Sequence, residues 1–116
     1  MQEPTLLILT ALAGGRRHGY GVIREVEELS GGRLRLSAGT LYRALDRLVG
    51  EGLVIAAGEE IVDGRLRRYY QLTDDGTRAL QAEAERMRVQ AQAVLNRLKG
   101  ATAPRRGRVR PTFEMT

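Results

Sequence analysis

The chain has 116 residues, 42% of them apolar and 28% charged, with a formal net charge of +5, a composition that fills one modest core and not two. It holds no cysteine and a single histidine, His18, which excludes disulfide frameworks, thiol nucleophiles and thiolate metal sites and leaves imidazole chemistry without a partner. No apolar run approaches the roughly 18 residues of a membrane span and the N-terminus lacks a signal peptide's layout, so a soluble, cytoplasmic protein without cofactor or metal, and not an enzyme, is expected.

Residues 5–13 are almost wholly apolar (Leu6, Leu7, Ile8, Leu9, Ala11, Leu12) and read as a short buried helix that ends at Gly14 and Gly15. After a basic turn at Arg16 and Arg17, residues 18–29 space Val22, Ile23, Val26 and Leu29 by three and four, with Arg24, Glu25, Glu27 and Glu28 left to water. This is an amphipathic helix closed by Gly31 and Gly32. Ser37 is a cap for a third helix, whose inward stripe is Leu41, Leu45 and Leu48 and which Gly50 and Gly52 stop. The period then changes to extended runs over 53–57 and 66–73 around a polar turn at 58–64, a β-hairpin. Alternation in its second strand points Tyr70 and Leu72 to the core and Arg67 and Tyr69 outward.

Thr73 caps a long final helix. Leu80, Ala84, Met87, Ala91, Val94 and Leu98 alternate spacings of four and three along it, with Leu95 beside them, a coiled-coil-like seam. A helix of about 25 residues extends roughly 37 Å, more than a domain this small needs, so the seam is expected to pack on a second copy; the alternative is a helix folded back on its own domain. Residues 101–116, with Pro104, Pro111, Arg105, Arg106, Arg108 and Arg110 and no apolar period, read as a disordered basic tail.

The expected fold is mainly α with a small β-hairpin: a winged helix-turn-helix over 1–73, one long C-terminal dimerisation helix over 74–99, and the tail over 100–116. In such a fold the third helix enters the major groove of DNA. Its outward residues are Thr40, Arg43, Asp46 and Arg47, with Ser37, Gly39 and Tyr42 near its N-terminal end. Arginine forks onto guanine, hydroxyls bond base edges or phosphate, and the helix N-terminus attracts phosphate. An ordinary solvated face is the competing reading. In the hairpin, Arg65, Arg67 and Arg68 suit phosphates or a narrow minor groove. Glu59, Glu60 and Asp63 oppose this unless they turn away or pair with those arginines. Residues 37–76 carry five basic and seven acidic side chains, so the argument rests on where particular arginines point.

The motifs His18-Gly19-Tyr20, Ser37-Ala38-Gly39-Thr40-Leu41-Tyr42 with Ala44-Leu45 and Arg47-Leu48, Glu51-Gly52-Leu53-Val54, and Arg67-Arg68-Tyr69-Tyr70-Gln71-Leu72-Thr73 with Gly76 resemble the PadR family of transcriptional regulators. The resemblance covers about residues 5–98 and is similar to the shorter subfamily with a single C-terminal helix. It implies a homodimeric repressor that binds double-stranded DNA at a palindromic operator and is released by a small aromatic or cationic effector. Carried onto this chain, it places recognition contacts on Ser37, Gly39, Thr40 and Tyr42, wing contacts on Arg65, Arg67 and Arg68, and the supporting start of helix two on His18 and Tyr20. Two positions depart from the family pattern, Ala38 and Arg43, where proline is common. The dimer helix also lacks any aromatic residue on which a flat ligand could stack.

His18 reads as a cap or turn residue, and Tyr20 and Tyr70 as core or supporting groups. The glycines from Gly31 to Gly39 lack the Gly-Lys-Ser/Thr ending of a phosphate-binding loop. The acidic balance of residues 37–76 keeps one rival open, a winged-helix protein-protein adaptor that does not bind DNA.

Overall fold

The computed structural model describes residues 1–102, the side chains of Ala101 and Thr102 excepted; the expected tail lies outside the described residues but for its first few. The described chain divides into two compact units, Met1–Glu83 and the residues from Ala84 onward.

Helix α1 (Glu3–Ala13) begins two residues ahead of the apolar run because Pro4 sits in its first turn, where a missing N–H costs no helical bond. It buries Ile8, Leu9, Ala11 and Leu12. Helix α2 (Gly19–Leu29) buries Val22 and Val26. It closes in a Schellman motif, in which Gly31 N–H donates to Glu28 O and Gly32 N–H to Glu27 O, with Gly31 at φ +66°. Leu29, expected inward, is instead 45% exposed at that end.

Helix α3 (Ala38–Gly50) starts at Ser37, whose Oγ accepts from Thr40 N–H at 3.2 Å. Its Leu41, Leu45 and Leu48 are fully buried, each burial contributing about 1.5–3 kcal/mol. It ends as α2 does: Gly52 takes φ +78° and Leu53 N–H donates to Leu48 O. Tyr70 and Val54 complete the core, and Leu7, Ile23, Leu34, Leu36, Ala44, Leu53, Leu72 and Leu80 pack around it.

The hairpin is longer and its turn tighter than the sequence reading. Strands β2 (Val54–Val62) and β3 (Arg65–Leu72) pair from Val54↔Leu72 to Val62↔Arg65. Only Asp63 and Gly64 are left between them, both at positive φ, as a two-residue type I′ turn requires. The predicted turn over 58–64 is corrected accordingly. What misled was Gly58 with Glu59 and Glu60, which sit at an irregularity of register between Ala56 and Glu59, a bulge rather than a turn. A third strand, β1 (Arg17–His18), was not foreseen. It pairs antiparallel with β3, Arg17↔Tyr70 and His18↔Tyr69, giving the sheet order β1-β3-β2.

Helix α4 (Asp74–Thr102) is started by Thr73, whose Oγ1 accepts from Gly76 N–H at 2.9 Å. Thr73 also donates twice to the turn after α3, from Oγ1 to Gly52 O at 2.6 Å and from N–H to Leu53 O at 3.1 Å. Gly76 lies so close that a Cβ there would stand 2.0 Å from Leu53 O. Leu80, expected on the dimer seam, is half-buried against the core of the first unit, because α4's first turns are used to close that core. The seam positions beyond it, Ala84, Met87, Ala91, Val94, Leu95 and Leu98, are exposed, as is Val89 off the stripe. Among the described residues no helix is long and apolar enough to cross a membrane.

Candidate nucleic-acid interface

Three segments far apart in sequence meet around one shallow hollow of about 120 Å³. It is lined by His18, Gly19 and Tyr20 at the start of α2, Tyr42 of α3, and Arg65, Leu66, Arg67 and Arg68 of β3. Most of the sequence-predicted site residues from α2 and the wing are therefore neighbours. The β1–β3 pairing is what draws His18 to the wing, and Gly19 allows the approach of α3, since a Cβ at that position would stand 2.2 Å from the Tyr42 hydroxyl.

His18 occupies the centre. Its Nδ1 faces Gly21 N–H at 3.2 Å and its Nε2 faces an Arg67 N–H at 3.1 Å, while Tyr69 meets the ring edge-on at 5.5 Å. Burial and the charges of Arg67 and Arg24 hold the imidazole pKa below its ordinary value, so the ring is neutral at pH 7. A neutral imidazole has one lone pair to offer, and two donors compete for it. Arg67 is thus positioned by the ring without being firmly bonded to it. Expected outward, Arg67 and Tyr69 are in fact half-buried, because the His18 ring lies against both and Arg16 stacks over Tyr69.

Two of the wing's three acidic residues are engaged, while Asp63 in the tight turn is exposed and has no hydrogen-bond or ion-pair partner among the described residues. Glu59 pairs with Arg68 at 3.3 Å and Glu60 accepts from the Tyr69 hydroxyl at 2.8 Å. An exposed pair of this kind contributes about 0–1 kcal/mol, so Arg68 can exchange Glu59 for a phosphate at small cost. Arg65, next to the tight turn, has no hydrogen-bond or ion-pair partner among the described residues.

At the N-terminal end of α3, Ser37 and Thr40 hydroxyls hydrogen-bond each other at 3.0 Å and both residues are exposed. Arg43 folds back toward Gly39, where an added methyl group would lie 3.7 Å from its Nη1, and it too lacks a protein partner among the described residues. Arg47 is placed differently. It donates to Thr5 Oγ1 at 2.8 Å and pairs with Glu51 at 3.4 Å, which ties the far end of α3 to α1 and separates it from the other predicted contacts.

Two cations were missed. Arg16 stacks over the Tyr69 ring at 4.2 Å and donates from Nη1 to Ala57 O at 2.7 Å, bracing the wing; a loop arginine gives no sequence signal for this. Arg24, read only as solvated, lies close enough to His18 to affect its titration. Its spacing of four from Tyr20 puts both on one side of α2, a signal that was available.

Three helices, a three-stranded antiparallel sheet ending in a hairpin wing, and polar residues at the start of the third helix define a winged helix-turn-helix protein. A family model described as the transcriptional regulator PadR-like family matches residues 8–82, and the chain belongs to that family; it is a transcriptional regulator and not an enzyme. It is 38% identical over 90 residues to the transcriptional regulator Rv3488 of Mycobacterium tuberculosis, covering 78% of this chain and 80% of that protein. The crystal structure of a PadR family transcription regulator from Clostridium difficile R20291 superposes with a TM-score of 0.70 at 26% identity, over 84% of this chain and 99% of that one. Bacillus subtilis PadR, crystallised with operator DNA, shares the fold with a TM-score of 0.63 at 24% identity, over 72% of this chain and 47% of that one.

Proposed function

We propose that the chain is a homodimeric repressor that binds an inverted-repeat operator, each protomer setting the N-terminal half of α3 in a major groove and the wing on the adjoining backbone or minor groove. The observation that carries this reading is the gathering of the wing arginines with Tyr20 and Tyr42 around one hollow, Tyr42 belonging to the helix whose start exposes the Ser37 and Thr40 hydroxyls. Arg43 and Arg65 have no protein partner among the described residues, Arg68 interacts with the Tyr70 side chain and with Glu59 in an exposed ion pair, and Tyr20, 62% exposed, shares the hollow with Arg65 and Arg68. Such a surface is electrostatically and geometrically suited to phosphates at its edges and base edges at Arg43 and Thr40.

Dimerisation is supported by the second unit. From Ala84 onward the helix leaves Met87, Val94, Leu95 and Leu98 between 43% and 58% exposed, and a helix without a packed apolar face is marginal in water. Pairing two copies along this stripe would set two α3 helices on half-sites about one turn of duplex, roughly 34 Å, apart. The effector is the finer part of the proposal. An open depression of about 580 Å³ within the first unit is lined by Met1, Arg47, Leu53, Glu51 and Glu83, without an aromatic side chain on which a flat compound could stack, and its two carboxylates already face Arg47 and the Met1 ammonium.

Fluorescence anisotropy with the promoter duplex of the protein's own gene, alongside analytical ultracentrifugation, tests the reading. A dimer that saturates one site, with affinity falling steeply as salt rises, is expected. A stable dimer that binds no duplex at any salt would replace the proposal with the protein-protein adaptor.

A further inference from the structure

The wing carries an apolar pair that nothing in its own domain covers. Ile61 and Leu66 are cross-strand partners and are 74% and 61% exposed, the former the most exposed large apolar residue among those described. Direct partners share one face of a hairpin, and the next ladder step holds Val62 and Arg65 and then the turn. The pair therefore sits almost at the tip. A hairpin end of this kind favours charged residues, because exposed apolar strands invite association, so the exception calls for an occupant.

The surroundings select it. Leu66 lies between Arg65 and Arg67 in sequence and lines the same hollow as Tyr20 and Tyr42, so it faces the side on which α3 begins. A protein partner with an apolar patch would have to strip water from Arg65, Arg67 and Arg68 to reach it. A duplex would neutralise those guanidiniums with phosphates while presenting the carbon-rich edges of its sugars to the pair. The hollow, at about 120 Å³, is also well below the roughly 300–1,000 Å³ of small-molecule sites. We infer that Ile61 and Leu66 are the wing's apolar contact to DNA, packing on deoxyribose along a minor groove while the neighbouring arginines hold the phosphates. The inference rests on the DNA-binding reading above and adds a specific contact to it.

The experiment selects a duplex from a random-sequence pool with the full chain and titrates it at several salt concentrations. The variants are I61T/L66T, in which threonine preserves strand propensity, the conservative I61V/L66M, and R65A. Circular dichroism melting confirms that each is folded. I61T/L66T should bind about tenfold more weakly with an unchanged salt slope, since losing apolar contact releases no fewer counterions, whereas R65A should lower the slope by about 0.9. I61V/L66M should recover affinity to within about twofold of the parent. Unchanged affinity in I61T/L66T overturns the inference, and so does a slope that falls as in R65A, which would make the pair only a prop for the arginines. If the full chain enriches no duplex, the DNA-binding reading itself has failed and this contact falls with it.

Discussion

The two units of the chain solve opposite problems. Residues 1–83 close a core from the stripes of three helices, the sheet's Val54 and Tyr70 and the first turns of α4, with Ile8, Leu9, Val22, Val26, Leu41, Leu45 and Leu48 at 1% exposure or less. From Ala84 onward no described side chain reaches even intermediate burial. The first unit buries its apolar stripes within one copy; the second leaves its stripe exposed. An amphipathic period thus announces a face that can be buried without saying against what, and Leu80 and Val94, two heptads apart on the same seam, differ: the former is half-buried on the first unit's core and the latter 57% exposed.

The sharpest way to break this contrast is to charge the outer helix. L95E/L98E should leave the melting temperature of the first unit unchanged, yield single subunits by ultracentrifugation, and weaken binding to a two-half-site duplex by about 10²–10⁴, the range lost when linked sites become independent. An unchanged sedimentation coefficient would abolish the distinction between the units. Gly76→Ala should do the reverse. Its Cβ would meet Leu53 O at 2.0 Å, so denaturant unfolding should show a loss of about 1–3 kcal/mol, with the stripe from Ala84 untouched.

Within the first unit the contrast lies between the two ends of α3. Arg43→Ala should cost about 1–3 kcal/mol on the cognate duplex and much less on random sequence. Arg47→Ala, whose guanidinium is held by Thr5 and Glu51, should leave DNA affinity within about twofold, as expected of an exposed pair. Equal losses for the two would mean that both ends touch DNA. The smallest effect concerns His18. Its depressed pKa means that the unfolded chain takes up the proton first as pH falls, so stability should decline just below pH 6.5, the ordinary histidine value. His18→Asn, which keeps a capping acceptor, should flatten the urea midpoint against pH in that window.

Much of the fold was legible because its signals are local. The leucine spacing of α3, the Ser37 cap and the paired glycines that end α2 each dictate a structure within a few residues. The strand Arg17–His18 was not legible, since two polar residues carry no alternation and their partner lies some fifty positions away. The tight turn was signalled by Asp63-Gly64, but the bulge beside Gly58 offered a second, stronger-looking break. At the site, the identities of the wing arginines were readable and their partners were not. Neither the ring that positions Arg67, nor the carboxylate beside Arg68, nor the hydroxyl that holds Arg47 follows from spacing, because each depends on how separate elements come together.

The turn at Gly52 and Leu53 is grasped from both sides: Leu53 N–H by the last turn of α3, Leu53 O and Gly52 O by Thr73 at the entry to α4. Three hydrogen bonds thus hold the opening turn of α4 to the end of α3, with no free loop at the joint. Inserting even one residue at the turn should therefore part the end of α3 from the entry to α4 while leaving each helix folded.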